Sequence, residues 1–255
     1  MRKFGEGRND ASSQAQSAPS GLETMTQALM HASRYHAWMF SQVEDFVGTR
    51  VLEVGAGSGN LTQLLPSKAQ VTALDESRAA LGVAVSRAGS RRLDTVVADI
   101  ADPAAAQMLA CRGFDTILCS NVLEHVEDER TAAANMHAIL KPQSGYVLLI
   151  VPAHARLFGS LDQAAGHFRR YSRSDLTAIL RNVGFEIHRA RYVNALGAFA
   201  WYINGTVLRT SDLNAQSVNA QALVFDRFAV PFLRRLESVL KPPFGQSLVV
   251  VGRAK

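Results

Sequence analysis

The chain is predicted to fold as an α/β protein with helices on both faces of a mostly parallel sheet. Three observations carry this. Short apolar segments of strand length alternate with helical patterns from residue 50 to residue 193, the rhythm of strand–helix–strand crossovers. The run Val147-Leu148-Leu149-Ile150-Val151 shows no polar alternation, as a strand covered on both faces requires. One strand runs directly into a glycine-rich turn, where a parallel sheet presents a ligand to its carboxyl edge.

The elements follow in order. Residues 1–20, rich in Ser, Ala, Gln and Gly, read as a disordered leader ahead of a single domain over residues 21–255. Leu22 to Phe46 reads as helical, with Gly48 near its end. Arg50 to Val54 is the first strand, and Leu61 to Leu65 opens a helix that Pro66 stops. Val71 to Leu74 is the second strand, and Ser77 caps a helix reaching Ala88. Thr95 to Ala98, Phe114 to Cys119 and Tyr146 to Val151 are the next three strands. Between them lie helices from Pro103 to Ala110 and from Asp128 to Leu140, the latter with Ala132, Met136, Ile139 and Leu140 on one stripe. Ser172-Arg173-Ser174-Asp175 matches a capping box in its Asp form, and Gly184 closes that helix. Glu186 to Val193 and Ser247 to Gly252 complete seven strands. The connection between these last two, residues 194–245, is too long for an ordinary loop and holds two helical patterns, Ala195 to Leu208 and Gln221 to Leu240. It reads as a helical lid or cap.

Composition bounds the function classes. At 47% hydrophobic and 19% charged residues, the chain is globular rather than disordered. No apolar run of 18 residues exists to span a membrane, and the N-terminus has no apolar core for secretion. The two cysteines, Cys111 and Cys119, form no CxxC pair. No disulfide framework and no metal site are expected, and a cytoplasmic location is. The net charge of +5 suits an anionic acceptor, a nucleic acid or an acidic membrane surface, or a basic surface with no specific partner.

The most informative stretch is Val51-Leu52-Glu53-Val54-Gly55-Ala56-Gly57-Ser58-Gly59-Asn60. Its glycines permit positive φ and a close ligand approach. Asp75 lies twenty residues after Gly55, at the end of the second strand, where an acid accepts hydrogen bonds from ribose hydroxyls. Asn60 stands where a dinucleotide fingerprint tends to place its third glycine or an alanine. Glu53 adds a carboxylate that suits a cation and repels a pyrophosphate. The ligand these features favour is S-adenosylmethionine (SAM), which carries an ammonium and a sulfonium and no phosphate, over NAD.

The segment resembles motif I of the class I SAM-dependent methyltransferases. The resemblance continues through Ala73-Leu74-Asp75-Glu76, Val97-Ala98-Asp99-Ile100 and Phe114 to Val126. It implies a Rossmann-like sheet of seven strands, mostly parallel, with the last strand antiparallel. It implies that Glu53, Gly55, Ala56 and Gly57 border the methionine of SAM, and that Asp75 with Glu76 holds the ribose. Asp99 would meet the adenine amino group, Ile100 would pack on the ring, and Ser120 or Asn121 would line the site. For Asp99 a cap on the following turn is the competing role.

Methyl transfer from a sulfonium needs an aligned acceptor and, for some acceptors, a base. The candidate bases are His125, His154 and His167, with His36 on the N-terminal helix. The segment Gly166-His167-Phe168-Arg169-Arg170-Tyr171 resembles one found in a bacterial small-molecule subgroup. Arg169, Arg170 and Tyr171 would bind an anionic group of the acceptor or fix the loop by an ion-pair network. Trp201 and the other aromatic residues of the insertion would cover a large apolar acceptor, touch a membrane surface or pack on the sheet. Methylation of a small-molecule or lipid-like acceptor, on oxygen, is the expectation. The alternatives are an RNA methyltransferase, disfavoured by Ser120-Asn121-Val122-Leu123 where such enzymes hold a flipped base, an NAD-dependent reductase, and a SAM-binding scaffold of the same fold. No nucleic-acid partner is expected, and the sequence sets no oligomeric state.

Overall fold

The computed structural model describes residues 32–203 and 223–255. The leader, the first ten residues of the predicted N-terminal helix and part of the predicted cap lie outside them. Seven strands form one sheet: β1 (Arg50–Val54), β2 (Gln70–Asp75), β3 (Leu93–Val97), β4 (Thr116–Ser120), β5 (Tyr146–Pro152), β6 (Phe185–Val193) and β7 (Ser247–Ala254). Their order is β3-β2-β1-β4-β5-β7-β6. The first five strands pair in parallel, and β7 lies antiparallel to both β5 and β6. The seven strands, the parallel core and the antiparallel last strand are as the sequence predicts.

Two apolar layers sandwich the sheet. On one face Leu52, Ile117, Val147 and Leu149 pack under helices α3 (Pro103–Ala110), α4 (Glu129–Leu140) and α6 (Arg173–Asn182). On the other, Val51, Leu118, Leu148 and Val249 pack under α1 (Ser33–Phe40) and α8 (Val230–Val239). Successive residues of β5 thus supply both layers, which is why its sequence lacks alternation. Each such fully buried Leu or Ile contributes about 1.5–3 kcal/mol of transfer free energy.

Caps fix where helices begin. Ser77 accepts from Ala80 N ahead of α2 (Arg78–Arg87), Asp102 from Ala104 N ahead of α3, and Asp128 from Thr131 N ahead of α4. Ser172 accepts from Asp175 N ahead of α6, as the capping box predicts. Two expectations change. After the glycine loop there is only a 3-10 turn, Thr62–Leu64, because Pro66 arrives before a full α-helical turn can close. The N-terminal helix breaks at Ser41, and a separate 3-10 turn covers Glu44–Phe46. Of the cap, α7 (Ala195–Tyr202) and α8 are formed. Asp226 just before α8 accepts from the Arg34 and Tyr35 amides, so this segment satisfies N-terminal amides of α1. Among the described residues no helix is long and apolar enough to cross a membrane.

Candidate active site

The strand order reverses between β1 and β4, the point where open parallel sheets receive ligands at their carboxyl ends. A cavity of about 320 Å³ lies there. Val54, Leu74, Ala98, Ile100 and Val122 give it apolar walls, and Asp75, Glu76 and Asp99 give it carboxylates. Gly55, Asn121 and His125 complete the rim among the predicted site residues.

Backbone geometry explains why Gly55 belongs here. Its φ is +66°, and a Cβ would stand 2.1 Å from Val122 Cγ2. Asp75 is anchored on two backbone amides, Gly57 N and Ser77 N, both at 2.8 Å. Two bonds leave a carboxylate with acceptor capacity for a bound hydroxyl. Asp99 accepts from Ala101 N at 2.7 Å, so it fulfils the turn-capping role while still lining the cavity. Asn121 holds φ +52° at the end of β4, and its amide donates to Ile150 O.

The remaining cofactor candidates stand elsewhere. Glu53, Ala56, Gly57 and Ser120 are not cavity walls. Glu53 is 3% exposed and accepts from Thr62 Oγ1 at 2.5 Å. Burial raises its carboxyl to about 7. Its side chain turns to the 3-10 turn behind the loop, where the Thr62 hydroxyl donates to it.

The predicted bases separate into two places. His154 follows β5 with φ +62°, stacks on Tyr192 at 4.4 Å and accepts from Gly245 N through Nε2. With Phe199, Tyr202 and Phe244 it lines a different cavity, of about 590 Å³. His125 and His167 come together, their rings 4.8 Å apart edge to face. Burial, and then the neighbouring His167, lower the His125 pKa, which keeps it neutral near pH 7.

This pairing arises because the segment 166–171 lies across the loop that follows β4. Phe168 N donates to Glu124 O at 2.8 Å. Arg169 donates to the Val126 and Glu127 carbonyls and to Glu129. The Tyr171 hydroxyl donates to Glu129 at 2.6 Å and lies 3.1 Å from Leu123 O. Arg170 pairs with Asp162 at 2.7 Å, both side chains at most 1% exposed, and its guanidinium lies 4.8 Å over Trp201. Trp201 Nε1 donates to the same Asp162. Arg169, Arg170, Tyr171 and Trp201 thus each spend polar groups on the protein, as loop fixing requires, and the buried Arg170 and Tyr171 must find such partners.

Two carboxylates stand at the centre of this network. Asp162 accepts from His167 Nδ1 at 2.8 Å as well as from Arg170, Trp201 and Gly159. Burial pushes its pKa up, but the His167 hydrogen bond and the Arg170 charge outweigh it and hold the carboxyl below its usual range. Glu124 is wholly buried, and neither carboxylate oxygen has a hydrogen-bond partner. Burial raises its pKa to about 8. The available signal was a carboxylate beside a histidine at the end of an apolar strand.

A family model for a methyltransferase domain matches residues 26–190. The ubiquinone biosynthesis O-methyltransferase of Xanthomonas euvesicatoria pv. vesicatoria (strain 85-10) is 31% identical over 161 residues, which are 56% of this chain and 65% of that protein. The chain thus spans just under two thirds of that relative. A SAM dependent methyltransferase from Archaeoglobus fulgidus superposes with a TM-score of 0.57 at 15% identity, over 87% of this chain and 94% of its own. The magnesium protoporphyrin IX methyltransferase ChlM from Synechocystis PCC 6803, solved with bound SAH, gives 0.52 at 16%, over 90% and 84%. These two likenesses concern the fold. Taken with the family match, the glycine turn and the acids at the ends of β2 and β3, they place the chain in the class I SAM-dependent methyltransferases.

Proposed function

We propose that this protein transfers a methyl group from SAM to an oxygen atom of a small-molecule acceptor. The observation that carries the reading is His125, a neutral imidazole on the wall of the cavity that also holds Gly55, Asp75 and Asp99. A base at the cofactor's edge is what a hydroxyl acceptor needs, since the hydroxyl gains nucleophilicity on losing its proton. SAM supplies a methyl group activated by its sulfonium. Asp75 would hold the ribose hydroxyls, Asp99 the adenine amino group, and Ile100 with Val122 the faces of the ring.

The relative named for ubiquinone biosynthesis supports oxygen as the target and an acceptor with an apolar part. The cavity beside His154, walled by Phe199, Tyr202 and Phe244, offers aromatic surface for such a part. The test is transfer of label from methyl-tritiated SAM into a cell extract. Label is expected in the solvent-extractable small-molecule fraction, unaffected by nuclease or protease and reduced at least about tenfold by His125→Ala, since a general base contributes that much or more. Label on RNA or protein would overturn the acceptor class.

A further inference from the structure

Glu124, His125 and His167 each bring a donor atom to one spot, all within 4.8 Å of one another. Three features set them apart from polar residues that merely lie close. Glu124 is wholly buried with both oxygens unpartnered, a costly state for a carboxylate unless something pairs with it. Both imidazoles already commit Nδ1: His125 to Gly166 O at 3.3 Å and His167 to Asp162 at 2.8 Å. Donation through Nδ1–H fixes the tautomer and leaves the lone pair on Nε2, the form that binds a metal. Asp162 in turn is held by Arg170, Trp201 and Gly159, so the His167 ring is locked from behind.

We infer that Glu124, His125 and His167 bind one divalent transition-metal ion, through the carboxylate and the two Nε2 atoms. Two imidazoles and one carboxylate suit zinc or iron better than magnesium or calcium, which prefer oxygen throughout. Three protein ligands leave a coordination position open. His125 is also a wall of the cofactor cavity, so the ion lies at that cavity's border. Sequence spacing gave no sign of the site, because the two histidines are 42 residues apart and no cysteine takes part.

The inference deepens the proposed function and rests on it for its chemistry. The open position would take the acceptor oxygen, and the ion would acidify that hydroxyl as it does a bound water. The proton leaves to water, the oxygen bonds to the methyl carbon, and the carbon–sulfur bond breaks with its electron pair on sulfur. The ion would take over the deprotonating role that the proposed function gives to His125, and loss of His125 would lower transfer on either account, as base or as ligand.

Calorimetry on the full, metal-stripped chain with Zn²⁺ alone tests the site. One ion per chain is expected, with affinity reduced at least about tenfold in His167→Ala and in the isosteric Glu124→Gln. Melting temperature and SAM affinity report whether each variant is folded. Co²⁺ added to the unaltered protein needs no variant: visible bands of a four- or five-coordinate site are expected. No stoichiometric Zn²⁺ binding, equal affinity in folded variants, or absence of those bands overturns the inference. Methyl transfer that persists without any bound ion sinks this inference and spares the proposed function. An ion bound as described with no label transferred does the reverse.

Discussion

The rim of the cavity at the carboxyl edge of the sheet and the loop corner beside it share His125 but are held in different ways. At the rim, Asp75 bonds to Ser77 two residues on and to Gly57 of the neighbouring strand's turn, and Asp99 to Ala101, all between turns at the carboxyl ends of β1, β2 and β3. In the corner, His125, Arg169 and Tyr171 bond across 40 or more residues of chain. The rim's carboxylates are partly or well exposed, whereas the corner's Asp162 and Arg170 are sealed. A ligand site made of short-range turns stays open to accept its ligand. The corner joins a sealed local pair, Asp162 with Arg170, to long-range bonds from the neighbouring residues, and a sealed pair is costly to leave unpaired.

The largest effect that would break this contrast comes from Asp162→Ala. Arg170, with a side chain 1% exposed, would lose its counter-charge, and His167 its anchor. Removing one member of a buried pair costs about 3–5 kcal/mol. Urea denaturation should show that loss, and Asp162→Leu with Arg170→Met should recover much of it. Asp99→Ala at the rim should cost less than about 1 kcal/mol, as expected of an exposed side chain. Equal losses at the two positions would erase the distinction.

The same contrast decides what could be read from the sequence. The central strands were legible because β1, β4 and β5 are apolar runs buried on both faces, and the outer strands β3 and β6, which are only partly buried, were legible from the turns and helices that bound them. That Gly55, Asp75 and Asp99 would meet at one cavity was legible because each stands at the carboxyl end of a parallel strand. β3 begins at Leu93 and not Thr95, since its pairing with β2 decides the boundary and Asp94 hides it. The burial of Glu124 was not legible: in sequence it is a charged residue in a turn, and its burial comes with long-range packing, the segment 166–171 included. For Arg169, Arg170 and Tyr171 the residue types were noticed, but whether they face a ligand or a carbonyl depends on Val126, Glu127 and Ala153, which no local pattern connects to them.

Glu53 tests the closed side of the rim through pH. Burial raises its carboxyl from 4.5 to about 7. Between those values the folded protein keeps a proton that the unfolded chain has released. Stability from this group is therefore greatest below pH 4.5 and falls as pH rises to 7, where it levels off. The slope is about 1.4 kcal/mol per pH unit, roughly 3 kcal/mol in all. Urea midpoints at pH 5, 6 and 7 should fall more steeply for the natural chain than for Glu53→Gln, and the difference isolates this carboxyl. Parallel curves would mean that water reaches Glu53 and that the loop is as open behind as in front.

The smallest effect separates two glycines of that loop. Both have left-handed backbones, φ +66° at Gly55 and +52° at Gly57. A Cβ on Gly55 would overlap Val122, a wall of the cavity, whereas one on Gly57 meets no atom within 4 Å. Gly57→Ala therefore carries only the backbone cost of about 1–2 kcal/mol, and SAM affinity should fall by no more than about 30-fold. Gly55→Ala adds a forced displacement of Val122, worth about 1–3 kcal/mol of overpacking, and affinity should fall by about 100-fold or more. Calorimetric titration of SAM into each variant measures the gap. If Gly57→Ala proves as damaging as Gly55→Ala, the loop must close over the ligand at Gly57, and the open space there belongs to SAM rather than to solvent.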